Sequence, residues 1–243
     1  MSGQLRSELL KLRTTRTIAL LLAAAAALAV FGACVEGLSR TVIELGGENS
    51  QRTMLSGGTV GVFFATLAGL LAVTSEFRYG TIRPTLLFEP RRRVVLAAKV
   101  VAAALTGVVF GAVCSALSFA TGLALLSVRG ADLAVTGPHA AALALGPMVA
   151  AALSAVLGVA IGALIRNQAG AIVALAAYAF VVDAALFGAV PAAGRFLPGK
   201  AGDAIAGRAD ESLLAPGLAA VVLLAWTLAF AVAATVRNDR SDV

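Results

Sequence analysis

Residues 75–99, SEFRYGTIRPTLLFEPRRRVVLAAK, decide how this chain is built. They gather Arg78, Arg83, Arg91, Arg92, Arg93 and Lys99 between two long apolar runs, in a sequence that is 60% hydrophobic. Lysines and arginines beside membrane spans are retained on the cytoplasmic side, so this basic island fixes the direction of threading. Its interior also reads as a docking element. Thr81 can N-cap a short helix, and Pro84 falls in the first turn, where its missing N–H costs little. Ile82, Leu86 and Leu87 then share one face, and Pro90 stops the helix. A short helix with an apolar face on a cytoplasmic loop needs a partner to cover it. The alternative is a solvated basic loop lying against lipid headgroups.

The rest of the chain agrees with a membrane setting. It has 243 residues and a mean hydropathy of +0.94, whereas apolar residues make up only about half of a soluble domain. A span needs about 20 apolar residues, and six such runs are present: 17–35, 55–74, 100–126, 140–165, 169–190 and 216–236. The expected fold is an all-α polytopic membrane protein forming a single domain over 1–243. Its parts are a leader (1–16), two spans (17–74), the loop 75–99, three spans (100–190), an external segment (191–215), the last span (216–236) and a tail (237–243). Six spans put both ends on one side. Of the 19 lysines and arginines, 13 then fall on the cytoplasmic side and six outside. Shifting the threading by one span would reverse that bias. The net charge of +6 is accounted for by orientation and anionic headgroups rather than by nucleic acid.

In the leader, Leu5, Leu9 and Leu12 recur at i, i+4 and i+7 among Arg6, Lys11, Arg13 and Arg16. That pattern suits a helix in the headgroup plane, or more simply a charged leader that sets orientation. Glycine pairs Gly57/Gly61, Gly107/Gly111 and Gly158/Gly162 permit close helix packing without marking a particular dimer face. Gly146-Pro147 should kink the fourth span. The third span, at roughly 1.5 Å per residue, is near 40 Å long and should tilt or project into the cytoplasm. Segment 191–215 carries Phe196-Leu197-Pro198 and enough apolar residues for a shallow re-entrant or interfacial piece, but not for a span. Asp183 is the single carboxylate well inside an apolar run, which makes it a candidate for substrate binding or gating against a structural hydrogen bond. Phe196 and Leu197 are candidates for contact with lipid or for plugging an exit.

Other chemistries lack their residues. There is no GxxxxGK[ST] phosphate loop, HExxH or GxSxG. Cys34 and Cys114 have no CxxC spacing, and His139 is the single histidine, so no metal or cofactor site is expected. The chain can form a path but shows no means of driving it.

With its basic leader and six spans, the run Glu76-Phe77-Arg78-Tyr79-Gly80-Thr81-Ile82-Arg83, continuing through Leu86-Leu87 and Pro90-Arg91-Arg92 to Lys99, resembles ABC-2-type permease subunits of ATP-binding cassette transporters. The resemblance covers nearly the whole chain. It implies that 81–88 is a coupling helix seated in a separate ATPase subunit, with Glu76 contacting or bracing the joint. Gly80, Thr81, Ile82, Arg83, Leu86, Leu87 and Arg91 would belong to that contact. The Arg166-Asn167-Gln168 turn would be a second, smaller one. Residues 1–16 would be an elbow helix, and 191–215 an external re-entrant hairpin. It further implies two ATPase copies that hold ATP and Mg, a second permease chain as a homo- or heterodimer, and no catalysis in this chain. The importer-type EAA loop is not recognisable, which favours export. The Ala- and Arg-rich composition suggests a high-GC actinobacterial source, and hence a bacterial plasma membrane with both termini cytoplasmic. Amphipathic drugs, peptides or lipids would suit its Ala/Val/Leu-lined spans. The competing readings are a secondary transporter or channel working alone, and a membrane scaffold or immunity protein.

Overall fold

Apolar periodicity and length dictate helices, and the structure, a computed structural model that describes residues 2–81 and 92–240, is built from them. In chain order they are α1 (Ser2–Thr14), α2 (Arg16–Ser39), α3 (Val42–Leu45), α4 (Glu48–Leu55), α5 (Gly58–Tyr79), α6 (Arg92–Arg129), α7 (Gly137–Ile165), α8 (Gln168–Ala177), α9 (Asp183–Ala189), α10 (Pro191–Gly194), α11 (Pro198–Ile205) and α12 (Pro216–Arg240), with one π turn at Tyr178–Val182 between α8 and α9. No strand occurs among the described residues. Six stretches are long and apolar enough to span a membrane: Arg16–Ser39, Glu48–Tyr79, Val94–Arg129, Gly137–Ile165, Gln168–Ala189 and Pro216–Arg237. The protein is therefore an all-α multi-pass membrane protein.

The helices on either side of the basic island extend beyond the apolar runs. α5 continues through Ser75–Tyr79, and α6 begins at Arg92 rather than at Val100. Helix hydrogen bonding does not stop where hydrophobicity does, so polar residues outside the hydrocarbon simply prolong the helix. At 38 residues, α6 is about 57 Å long by its rise per residue, well beyond a bilayer core. Gly80 ends α5 in the left-handed conformation (φ 67°), its N–H bonded to the Glu76 carbonyl. Residues 82–91, which carry the expected docking helix, lie outside the described residues.

α5 is the central element, packed against α7, α6 and α2. The core there is made of small side chains, Ala65, Ala68, Ala103, Ala151 and Ala155, around Phe110 and Cys114. Glycines set the spacing. A Cβ on Gly158 would lie 2.0 Å from the Thr66 carbonyl oxygen, and one on Gly69 would lie 2.0 Å from that of Ala155. Without lipid-driven hydrophobic attraction between helices, such backbone-on-backbone contact supplies the dispersion that holds them. The paired glycines thus serve packing within the chain. α7 is continuous through Pro147, whose buried ring packs beside Gly58.

One end of the bundle carries α1, the end of α5, the start of α6 and the α7–α8 turn. α12 also finishes there, where Arg237 Nη1 donates to the Leu164 carbonyl at 2.6 Å. The opposite, distal end holds α3, α4, α10 and α11. Its connections are tied by Gln51, fully buried, which donates to the carbonyls of Leu45 (2.8 Å) and Asp132 (2.7 Å) and accepts from the Ala134 N–H (2.8 Å). α11 folds back against α7, α12 and α5, burying Ala201, Gly202, Ala204 and Ile205. Phe196, by contrast, is 41% exposed. Its carbonyl accepts a 2.9 Å hydrogen bond from Trp226 Nε1 on the last span.

Candidate coupling site

Four charged side chains meet at the terminus-bearing end, two from α1 and one each from α5 and α6. Lys99, one turn into the apolar part of α6, is only 6% exposed. Its ammonium lies 3.0 Å from Glu8 Oε2 of α1 and 2.9 Å from Glu76 Oε1 of α5, and donates to the Ala72 carbonyl at 3.3 Å. Lys11 closes the figure from the rim, 2.8 Å from Glu8 Oε1 and 3.2 Å from Glu76 Oε1. Glu8 and Glu76 are 3% and 8% exposed. Two carboxylates and two ammonium groups leave the node neutral, as a buried cluster of charges requires.

The node clamps both stems of the loop to the N-terminal helix. Glu76 stands on the outgoing stem, four residues before the Gly80 cap, and Lys99 on the returning stem. Burial alone would raise the Glu8 carboxyl, but Lys99 and the hydrogen bonds from Lys11 and Lys99 outweigh it and hold it below its ordinary value of 4.5. For Lys11, burial works to lower the ammonium, yet the hydrogen bond to Glu8 and the charges of Glu8 and Glu76 raise it above 10.5.

The second predicted contact comes to the same place. Arg166 caps α7 in the left-handed conformation (φ 54°), the one positive-φ non-glycine among the described residues, and its guanidinium lies 5.5 Å from the centroid of the Phe77 ring. Asn167 N-caps α8 by accepting from the Gly170 N–H at 2.9 Å. Gln168 Oε1 accepts from Arg78 at 3.2 Å. The 166–168 turn is therefore seated on the outgoing loop stem, at Phe77 and Arg78. Of the predicted loop residues, Glu76, Gly80, Thr81 and Arg166 are brought to this end. Ile82, Arg83, Leu86, Leu87 and Arg91 lie outside the described residues.

Sequence reasoning missed Glu8. The signal was present: it is the one acid of the leader, and it falls among Leu5, Leu9 and Leu12 on the face read as apolar. A carboxylate on a face that should meet lipid needs a cation there, and Lys99 is that cation. The other candidates, Asp183, Phe196 and Leu197, lie at the distal end, away from the node. Asp183 is buried and faces Tyr178 and Lys200.

The described residues form a helical multi-pass bundle in which one buried charge node ties the helices on either side of the basic loop to α1. Residues 4–182 match the family described as ABC-2 family transporter protein, and the chain belongs to that family as a permease component of an ABC transporter. Among curated proteins, none matches it. Members of the family are membrane components of transport that generally carry no catalysis of their own and work with an ABC ATPase.

Proposed function

We propose that this chain is the permease of an ATP-driven exporter and that its 75–99 loop is the lever on which a separate ATPase acts. The observation that carries this reading is the node itself. A loop that merely hugged lipid would have no use for stems pinned through a desolvated Glu8–Lys99–Glu76 arrangement. Buried ion pairs rarely add stability over apolar packing, so their value lies in fixing one geometry. Here that geometry transmits a push on 81–88 to α5, α6 and α1 together. Glu76, turned inward to Lys99, braces the joint, and the Arg166-Asn167-Gln168 turn adds the smaller contact. Two ATPase copies, which hold ATP and Mg, drive two permease chains that line the substrate path between them. α1 acts as the elbow helix at the cytoplasmic surface of a bacterial plasma membrane. The cargo is amphipathic, in keeping with the Ala/Val/Leu-rich spans.

The test is Leu86→Asp. A carboxylate in an apolar contact is desolvated without a partner, so the ATPase should be lost on co-purification, or its hydrolysis should become uncoupled from export, while the permease still inserts. Neutralising Arg91, Arg92 and Arg93 should leave insertion intact, because ten other lysines and arginines support the orientation. A Leu86→Asp chain that keeps both ATPase association and coupled export sinks the lever.

A further inference from the structure

The distal end holds a second charged arrangement, unlike the first in its looseness. The fifth span widens at Tyr178–Val182, where the Asp183 N–H reaches the carbonyl of Tyr178 five residues back. This wider turn sets residues five apart on one face, and π turns of this kind concentrate at functional positions. The Tyr178 hydroxyl consequently donates to Asp183 Oδ1 at 3.2 Å. Facing them is α11. Lys200 puts its ammonium 3.4 Å from Asp183 Oδ2 and 3.5 Å from Asp203 Oδ2, and 4.9 Å from the centroid of the Phe187 ring. Arg208 shares Asp203 at 3.2 Å. Gly199 makes the approach possible, since a Cβ there would lie 2.7 Å from Asp183 Oδ1.

The two sides of α11 are held differently. Towards α7 the contact is backbone on backbone: a Cβ on Gly146 would lie 2.2 Å from the Ile205 carbonyl oxygen. Towards the fifth span it is the Lys200–Asp183 pair beside a glycine, on a span whose described residues are mostly exposed. We propose that Lys200–Asp183 is a releasable latch at the distal end of the transport path: with the Ile205 end of α11 held on Gly146, its opening parts the 198–202 end of α11 from the fifth span and from Ser154 of α7. Two features favour opening of the pair. Its distance, 3.4 Å, is longer than the 2.9 and 3.0 Å of Lys99. Each partner also has a substitute in place: Lys200 keeps Asp203, three residues on along its own helix, and Asp183 keeps the Tyr178 hydroxyl. On opening, Lys200 keeps a counter-charge and Asp183 keeps a hydrogen bond, which lowers the penalty that normally locks a buried ion pair.

The latch rests on the chain being a permease and on no particular driver, so its test uses neither ATPase nor cargo. Ser154 of α7 is buried behind α11, its hydroxyl 3.9 Å from the Cβ position of Gly202. In full-length chain with Cys34→Ala and Cys114→Ala, reconstituted in liposomes, Ser154→Cys is exposed to a membrane-impermeant maleimide on both faces. Lys200→Met and Asp183→Asn should each raise the labelling rate about tenfold, the change that one broken link of about 1.4 kcal/mol produces. The double variant should label no faster than either single, because both remove the same link. Ala65→Cys, buried at the α5 crossing, should stay unlabelled throughout. Unchanged labelling of Ser154→Cys, additive effects in the double variant, or an equal rise at Ala65→Cys would overturn the latch; the last would show that the pair only holds the fold.

Discussion

Lys99 is a buried cation, and Glu8 and Glu76 supply the negative charge closest to it. Replacing it by Met leaves two buried carboxylates facing each other with only the half-exposed Lys11 between them. Removing one member of a buried pair costs about 3–5 kcal/mol, so Lys99→Met should unfold much earlier in detergent. Adding Glu8→Gln to it should restore part of the loss, because one of the stranded charges is then gone. The acid limb follows from the same geometry. The Glu8 pKa is depressed by folding, so its contribution is present above 4.5 and fades as the pH falls through and below that value. Lys11 is raised, so its contribution is present below 10.5 and is lost only at higher pH. The gap in unfolding midpoint between the parent and Glu8→Gln should therefore be constant across neutral pH and close below 4.5. A gap that persists there would mean the node does not hold Glu8 ionised. At this scale the sequence marks Glu76 and Lys99 through their place in the island, but Glu8 is visible only when a polar residue on an apolar face is treated as a demand for a partner.

Helices were legible as elements because 20-residue apolar runs leave the backbone no other way to satisfy its hydrogen bonds in lipid. Their ends were less so. Polar residues such as Glu76 and Arg78 read as loop, yet they continue α5 to Tyr79, and the 40–57 connection folds into α3 and α4. α3 owes its existence to a local signal, the Thr41/Glu44 capping box, in which each side chain meets the other's backbone N–H. The glycine pairs were legible as packing motifs, but which helices they join depends on tertiary placement. The Gly158 crossing with α5 supplies a sharp expectation. Gly158→Ala forces a methyl onto the Thr66 carbonyl, a backbone atom that cannot step aside. Overpacking of this kind costs about 1–3 kcal/mol or more, whereas Gly32→Ala, with open space around its Cβ position, should be nearly neutral. Equal stability of the two variants in detergent would show that α5 and α7 can separate without penalty.

For the whole molecule, the remaining expectation is which way the bundle stands. The node, the 166–168 turn and the end of α12 share one end, so whichever side receives the loop also receives α1 and the end of α12. Charge predicts that side, since 13 of 19 lysines and arginines fall in segments 1–16, 75–99, 166–168 and 237–243 of the sequence and the bias of lysine and arginine sets threading. Thiol labelling in a background of Cys34→Ala and Cys114→Ala decides it. Asn49→Cys and Glu211→Cys sit at exposed distal positions with ordinary backbone, unlike Gly207, whose φ of 79° would strain a cysteine. Both should react with an impermeant maleimide added to intact cells. Glu89→Cys, on the loop, should react only after the membrane is opened. The reverse pattern would place the loop outside, beyond the reach of any ATP-hydrolysing partner, and the lever would have nothing to move it.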